Sequence, residues 1–301
     1  MKLNYVACTS QEGFHKIAYS EWGHAELDNS AIICVHGLTR NRCDFDHLAQ
    51  FLSAQGRHVF CPDVVGRGDS SWFKNPKHYN YQQYIADMTT LIARTGAEKI
   101  DWIGTSMGGL IGMALASLPD TPIRSLVLND IGPQIPVQAL WRLSQYVSKH
   151  PEFSNVEEAK KYFKIIYESF GNLSDEQWNY LTIHSIKEQA PGIYVSKLDP
   201  HIKGSKPSGQ LVKEFFTNPH RALEGIFFDI DLWYLWQNVK CPVLVIRGKN
   251  SDMLLPEYIK RMQRAHPHVD VIEVENAGHA PMLFENKEQE QIANWLKASL
   301  A

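Results

Sequence analysis

Through the first 132 residues, short continuous apolar runs alternate with stretches whose apolar residues recur every three or four positions. The runs AIICV (31–35), HVF (58–60), IDWI (100–103) and SLVL (125–128) predict strands buried on both faces, because a strand with one wet face would alternate apolar and polar. Between them, Phe45, Leu48, Phe51 and Leu52 share one helical face, and so do Tyr81, Tyr84, Ile85, Met88, Leu91 and Ile92. The alternation returns near the C-terminus. CPVLVIRG (241–248) and VDVIEV (269–274) predict two more strands, with Tyr258, Ile259 and Met262 marking a helix between them and Ile292, Trp295 and Leu296 a final one. Strand–helix–strand alternation with apolar strands implies a mostly parallel sheet covered by helices on both faces.

The middle of the chain reads differently. From about Pro133 to Gln237 no run predicts a good strand, but helical faces recur. One holds Val137, Leu140, Trp141 and Val147, and another Ala159, Tyr162, Phe163, Ile166 and Phe170; DEQWNYLTIHSI gives a third, less regular one, and GSKPSG (204–209) a loop. The expected organisation is a core from 1–132 and 238–301, with a helical cap at 133–237 inserted over the carboxyl edge of the sheet. That edge is where open α/β sheets bind their ligands.

Composition narrows the classes. Across 301 residues, 44% are hydrophobic and 21% charged, enough for a buried core, and the net charge of −3 gives no electrostatic case for nucleic acid or an anionic membrane. The five cysteines are odd in number and widely spaced, with no CxxC pair, so packed thiols are expected and a metal site is not. MKLNYVACTSQEGFHK lacks the sustained apolar stretch of a signal peptide, and no 18-residue apolar run spans a bilayer. A soluble, reduced, cytoplasmic protein is the expectation. Oligomeric state cannot be read.

The chemistry starts at WIGTSMGGL (102–110), a G-x-S-x-G that follows a predicted strand and opens an apolar helix. By itself this motif is a weak signal; its strand–turn–helix context is that of a nucleophile elbow, in which a strained turn projects the serine Oγ clear of the sheet. A serine needs a base, and His279, in ENAGHAP after the last predicted strand, is presented by a loop at the same edge. The base needs an acid to fix its tautomer. Asp252, in RGKNSDMLLP, is preferred over Asp130, in LVLNDIGP, although both follow strand ends. The order Ser–Asp–His is that of an α/β-hydrolase arrangement. For the oxyanion, the backbone N–H groups of Leu38, in CVHGLT, and Met107 are assigned as donors. His36 is expected to shape that loop, and Asp63 and Arg67 a loop behind the site. Arg40 is either a solvated side chain or a substrate contact. Trp141 and Trp233, with Trp236, are candidates for an acyl pocket, with core packing the preferred reading.

HGLTRN (36–41), PDVVGRGDSSW (62–72), GTSMGG (104–109), RGKNSD (247–252) and AGHAP (277–281) together resemble the α/β-hydrolase superfamily, carboxylesterase-like, over the whole chain except the cap. The resemblance implies an eight-stranded, mostly parallel sheet, a Ser–His–Asp triad, a backbone oxyanion hole and no cofactor. The oxyanion loop reads HGLT rather than the HGGG of lipases. The expected activity is hydrolysis of small to medium carboxylic esters through an acyl-enzyme. The alternatives are a carbon–carbon bond hydrolase or enol-lactonase, a hydroxynitrile-lyase-like lyase, and a non-catalytic ligand sensor.

Overall fold

A computed structural model describes residues 1–24, 29–147, 149–202 and 229–299. Eight strands form one sheet: β1 (Lys2–Ser10), β2 (Gly13–Trp22), β3 (Ser30–Val35), β4 (Val59–Pro62), β5 (Lys99–Thr105), β6 (Ile123–Asn129), β7 (Val243–Gly248) and β8 (Val269–Val274). Their spatial order is β1-β2-β4-β3-β5-β6-β7-β8; β2 runs antiparallel to both its neighbours and every other pairing is parallel.

Side chains alternate between the two faces of a strand, so a strand buried on both faces feeds two cores. In β3, Ile33 and Val35 enter one apolar cluster and Ile32 and Cys34 the other; in β7, Val243 and Val245 are divided in the same way from Leu244 and Ile246. The first cluster is closed by Tyr84, Met88 and Leu91 of α2 (Tyr81–Thr95), by α3 (Met107–Ala116), and by Ile259 and Met262 of the helix Pro256–Ala265. The second is closed by Leu48 and Leu52 of α1 (Asp46–Ser53) and by Ile292 and Leu296 of the C-terminal helix Asn286–Ala298.

The apolar-run reading does not single out β1 or β2. They form an edge hairpin, Lys2 opposite Glu21 through Ser10 opposite Gly13, and most of β1 stays in contact with water. Apolar runs are present all the same, Tyr5–Cys8 in β1 and Ile17–Tyr19 in β2, and the reading passes over them.

The inserted segment corrects the all-helical expectation. It contains α4 (Val137–Val147), α5 (Val156–Ile166) and α6 (Asp175–Ser185), but also a small sheet of Glu152–Phe153, Ile193–Ser196 and Ile186–Ala190. These strands are only two to five residues long and none is buried throughout, so the one short apolar run among them, Ile193–Val195, gives a weak signal. Phe153, Ala159, Phe163, Tyr167, Trp178 and Leu181 give the insert a core of its own. A capping box starts α6: Ser174 accepts from the Gln177 N–H while the Gln177 side chain accepts from the Ser174 N–H. The two ends of the insert are zipped together, Gln134–Ile135 pairing with Ile230–Asp231. The loop expected at 204–209 lies outside the described residues. Among the described residues, no helix is long and apolar enough to cross a membrane.

Candidate active site

Ser106 sits between β5 and α3 with φ 50° and ψ −112°, a left-handed conformation that costs a non-glycine residue about 1–3 kcal/mol. Small neighbours hold it there. A Cβ on Gly104 would lie 2.4 Å from the Gly108 backbone, and one on Gly108 would lie 2.0 Å from the Val35 carbonyl oxygen. Ser106 is the N-cap of α3, yet its side chain makes no capping hydrogen bond, which leaves Oγ for another partner.

That partner is His279. Its Nε2 lies 3.0 Å from Ser106 Oγ, and its Nδ1 lies 2.8 Å from Asp130 Oδ2. An ionised carboxylate can only accept, so the proton belongs on Nδ1 and Nε2 is the acceptor for the serine hydroxyl. Asp130 is fully buried immediately after β6. It accepts from the Gly248 N–H at 2.9 Å and the Ser251 hydroxyl at 2.5 Å as well as from His279. Three donors on one buried carboxylate satisfy and aim it.

Asp252, the acid preferred from sequence, is therefore corrected. It lies four residues beyond the end of β7, where the loop has turned outward, and it forms a bidentate pair with Arg142 of α4 at 2.7 and 2.8 Å. β6 and β7 are adjacent, so both aspartates lie at one sheet edge; only Asp130 reaches the imidazole.

Leu38 and Met107 both line the cavity that contains Ser106, and Met107 opens α3, where N-terminal N–H groups and the helix dipole favour a negative charge. The HGLT loop is braced from below. His36 is completely buried; it donates from Nδ1 to the Gly37 carbonyl at 2.7 Å and accepts at Nε2 from the Val64 N–H at 3.0 Å. Burial, with Arg67, Arg40 and Arg42 nearby, depresses its pKa to about 3, so it is a neutral strut. Arg67, also buried, donates to the Leu38 carbonyl at 3.0 Å, to Val65 and to Tyr84, and its Nη2 lies 3.7 Å from Met107 Sδ. It thus touches both residues assigned to the oxyanion. Asp63 holds the neighbouring loop by accepting from the Arg42 and Asp69 N–H groups.

The three remaining candidates differ in where the structure places them. Arg40 is buried rather than solvated: its guanidinium pairs with Asp44 at 2.6 and 3.0 Å, donates to Ser185 of the insert at 2.8 Å, and lies 5.0 Å from the Tyr167 ring centre, and the residue also lines the small cavity that Ser106 and His279 share. It clamps insert to core. Trp141 is 56% exposed on the outer face of α4 and lines no described cavity near Ser106. Trp233 is buried under Arg261 and donates to Gln134, while its neighbours Leu232, Tyr234 and Leu235 face the cavity. Tryptophan content reveals apolar mass but not direction.

The sequence reading missed the contacts that seat the histidine loop. Gly278 N–H donates to the Ser169 carbonyl at 2.7 Å, the Ser169 hydroxyl donates to the His279 carbonyl, and Asn129 Nδ2 donates to the Pro281 carbonyl at 2.9 Å. Nothing local in the sequence marks residues so far apart as partners.

The cavity above Ser106 has a volume of about 590 Å³ and an apolar lining from α3, α4 and the 229–235 segment; no charged side chain is among its described lining residues. Away from it, Cys8, His15 and Asp87 bring three metal-capable atoms within 4.8 Å of one another, with His15 Nε2 2.9 Å from Asp87 Oδ1. Burial, reinforced by Asp87, pushes the Cys8 thiol up to about 12, so it is protonated.

Comparison with known proteins agrees with this fold. A family model described as the alpha/beta hydrolase fold matches residues 30–286. The chain is 41% identical over 280 residues to a 3-hydroxybutyrate-oligomer hydrolase from Cupriavidus necator, covering 93% of this chain and 92% of that protein. It is 24% identical to Lipase 1 of Psychrobacter immobilis, over 89% of this chain and 76% of the lipase. A solved alpha/beta hydrolase from Novosphingobium aromaticivorans superposes with a TM-score of 0.82 at 28% identity, covering 98% of both chains. The protein belongs to the alpha/beta hydrolase family, and it is a hydrolase with esterase-type relatives.

Proposed function

We propose that the protein is a serine esterase cleaving small to medium carboxylic esters through an acyl-enzyme. One observation carries this reading: Ser106 Oγ, His279 and Asp130 form a continuous hydrogen-bonded chain whose serine is held in a strained turn at the mouth of an apolar cavity. His279 Nε2 takes the Ser106 proton as Oγ attacks the ester carbonyl. The tetrahedral oxyanion accepts from the Leu38 and Met107 N–H groups. Asp130 stabilises the imidazolium, which then returns its proton to the leaving alkoxide. Water enters, gives a proton to His279 and attacks the acyl-enzyme; collapse of the second intermediate frees the acid and restores Ser106.

The cavity supports an apolar acyl group. No cation is among its described lining residues, and none of these offers a partner for a carboxylate carried on the acyl half. Oligomers of 3-hydroxybutyrate, the substrate in the Cupriavidus relative's name, fall within the proposed class. The test is a p-nitrophenyl ester series from acetyl to dodecanoyl, wild type beside Ser106→Ala. Each methylene buried in the cavity is worth about 0.8 kcal/mol, so kcat/KM should rise about fourfold per carbon until the cavity fills. Turnover by folded Ser106→Ala equal to wild type would overturn the reading. No turnover by folded wild type would direct attention to carbon–carbon cleavage or lyase chemistry.

A further inference from the structure

The spaces on the two sides of the triad differ in chemistry. The apolar cavity of about 590 Å³ is lined by Ser106, Leu38 and Met107, with Leu110, Leu140 and Leu143 behind them; His279 is not among its described lining residues. A second cavity of about 460 Å³ is lined by His279, by Gln145, Lys149, Glu168, Asn250 and the Arg142–Asp252 pair, and by Ile165 and Ile166; Ser106 is not among its described lining residues. A third, small cavity of about 40 Å³ is lined by both Ser106 and His279, and by Gly37, Leu38 and Arg40.

The reaction assigns a side to each half of an ester. The acyl carbon bonds to Ser106 Oγ with its oxygen toward the Leu38 and Met107 N–H groups, so the acyl chain lies on the Ser106 side. The leaving oxygen must reach the proton on His279 Nε2, so the alcohol lies on the His279 side. We propose that the enzyme selects esters with an apolar acyl half and a polar, hydroxylated alcohol half, and discriminates against the transposed ester. This rests on the serine-esterase reading above. The charges of the second cavity balance, Arg142 and Lys149 against Glu168 and Asp252, so it recognises hydrogen-bonding capacity rather than net charge. An alkyl alcohol placed there would strip water from these groups without replacing their hydrogen bonds.

Two isomeric esters test the assignment, 2,3-dihydroxypropyl hexanoate and hexyl 2,3-dihydroxypropanoate, followed by acid release in a pH-stat. The first should be cleaved with a kcat/KM roughly tenfold or more above the second, less than the effect of burying two methylenes. The intrinsic bias runs the other way, because a hydroxyl next to the carbonyl activates the second ester. The double variant Gln145→Leu/Lys149→Leu, changed at two exposed positions of the insert, should narrow the ratio by about threefold or more as the polar cavity loses hydrogen-bonding groups. Equal or reversed preference overturns the assignment, as does an unchanged ratio in the variant. Failure to cleave the dihydroxypropyl ester while p-nitrophenyl hexanoate is cleaved also overturns it. If none of the three esters is cleaved by folded wild type, the esterase reading itself fails.

Discussion

Asp130→Asn and Asp252→Asn perturb two carboxylates at the same sheet edge, and the structure gives them very different consequences. Asp130 is fully buried and accepts from His279, Ser251 and the Gly248 backbone. Asparagine keeps one acceptor oxygen but turns an NH2 group toward a donor, and it removes the charge that balances the imidazolium. If the NH2 faces His279, it also favours the tautomer whose Nε2 carries the proton and cannot take one from Ser106. Loss of the corresponding charge in serine proteases lowers kcat by about 10⁴, and a drop of about 10³–10⁴ is expected here, ~4–5.5 kcal/mol of transition-state stabilisation. Asp252 is different. Its pair with Arg142 is 48% and 35% exposed, so it contributes ~0–1 kcal/mol, and its loss should change turnover by less than about fivefold. The assay is kcat/KM on p-nitrophenyl butyrate, with circular dichroism and thermal unfolding to establish that each variant is folded. A folded Asp130→Asn protein that keeps wild-type turnover, or an Asp252→Asn protein that loses about 10³, would refute the reasoning.

Other consequences follow from the same geometry. Gly108→Ala places a methyl 2.0 Å from the Val35 carbonyl oxygen, a backbone atom with no rotamer to move into; it should cost ~3 kcal/mol or more, and a thermal midpoint and activity equal to wild type would contradict the elbow's packing. Arg40→Met leaves the mostly buried Asp44 without its guanidinium; breaking such a pair costs about 3–5 kcal/mol, read by denaturant unfolding, and a change under about 0.5 kcal/mol would show that the clamp contributes little. His36 stays neutral in the folded protein down to about pH 3, whereas its unfolded form takes a proton near 6.5. Its contribution to stability is therefore complete above pH 6.5 and declines as pH falls, by up to ~1.4 kcal/mol per unit. Between pH 7 and pH 5, wild type should lose more stability in urea than His36→Gln does; equal losses would sink this.

The parts of the fold that the pattern revealed are those buried on both sides. Ile32 and Ile33, or Leu244 and Val245, are adjacent apolar residues serving opposite cores, and that necessity is visible as an unbroken run. Most of β1 and the insert's short strands face water, and their runs, such as Tyr5–Cys8 and Ile193–Val195, stand outside the strand–helix alternation that drew attention to the rest. Ser106 and His279 stood out because an elbow and a strand-end histidine are local features. The acid did not, because Asp130 and Asp252 are both strand-end aspartates; what separates them is the Gly248 N–H and the Ser251 hydroxyl, which come from the adjacent strand end and hold only Asp130. Arg40 and Trp233 show the same limit. Residue type told what each side chain could do, and packing between insert and core decided where it points.

The central claim is that Ser106, activated by His279, becomes covalently acylated. Intact-mass and peptide mapping after treatment with a fluorophosphonate test it most directly, on wild type, Ser106→Ala and His279→Ala. A single adduct on the peptide carrying Ser106, absent in Ser106→Ala and formed far more slowly in His279→Ala, is the result predicted. An adduct on another residue, or none from a protein that still turns over esters, would contradict it.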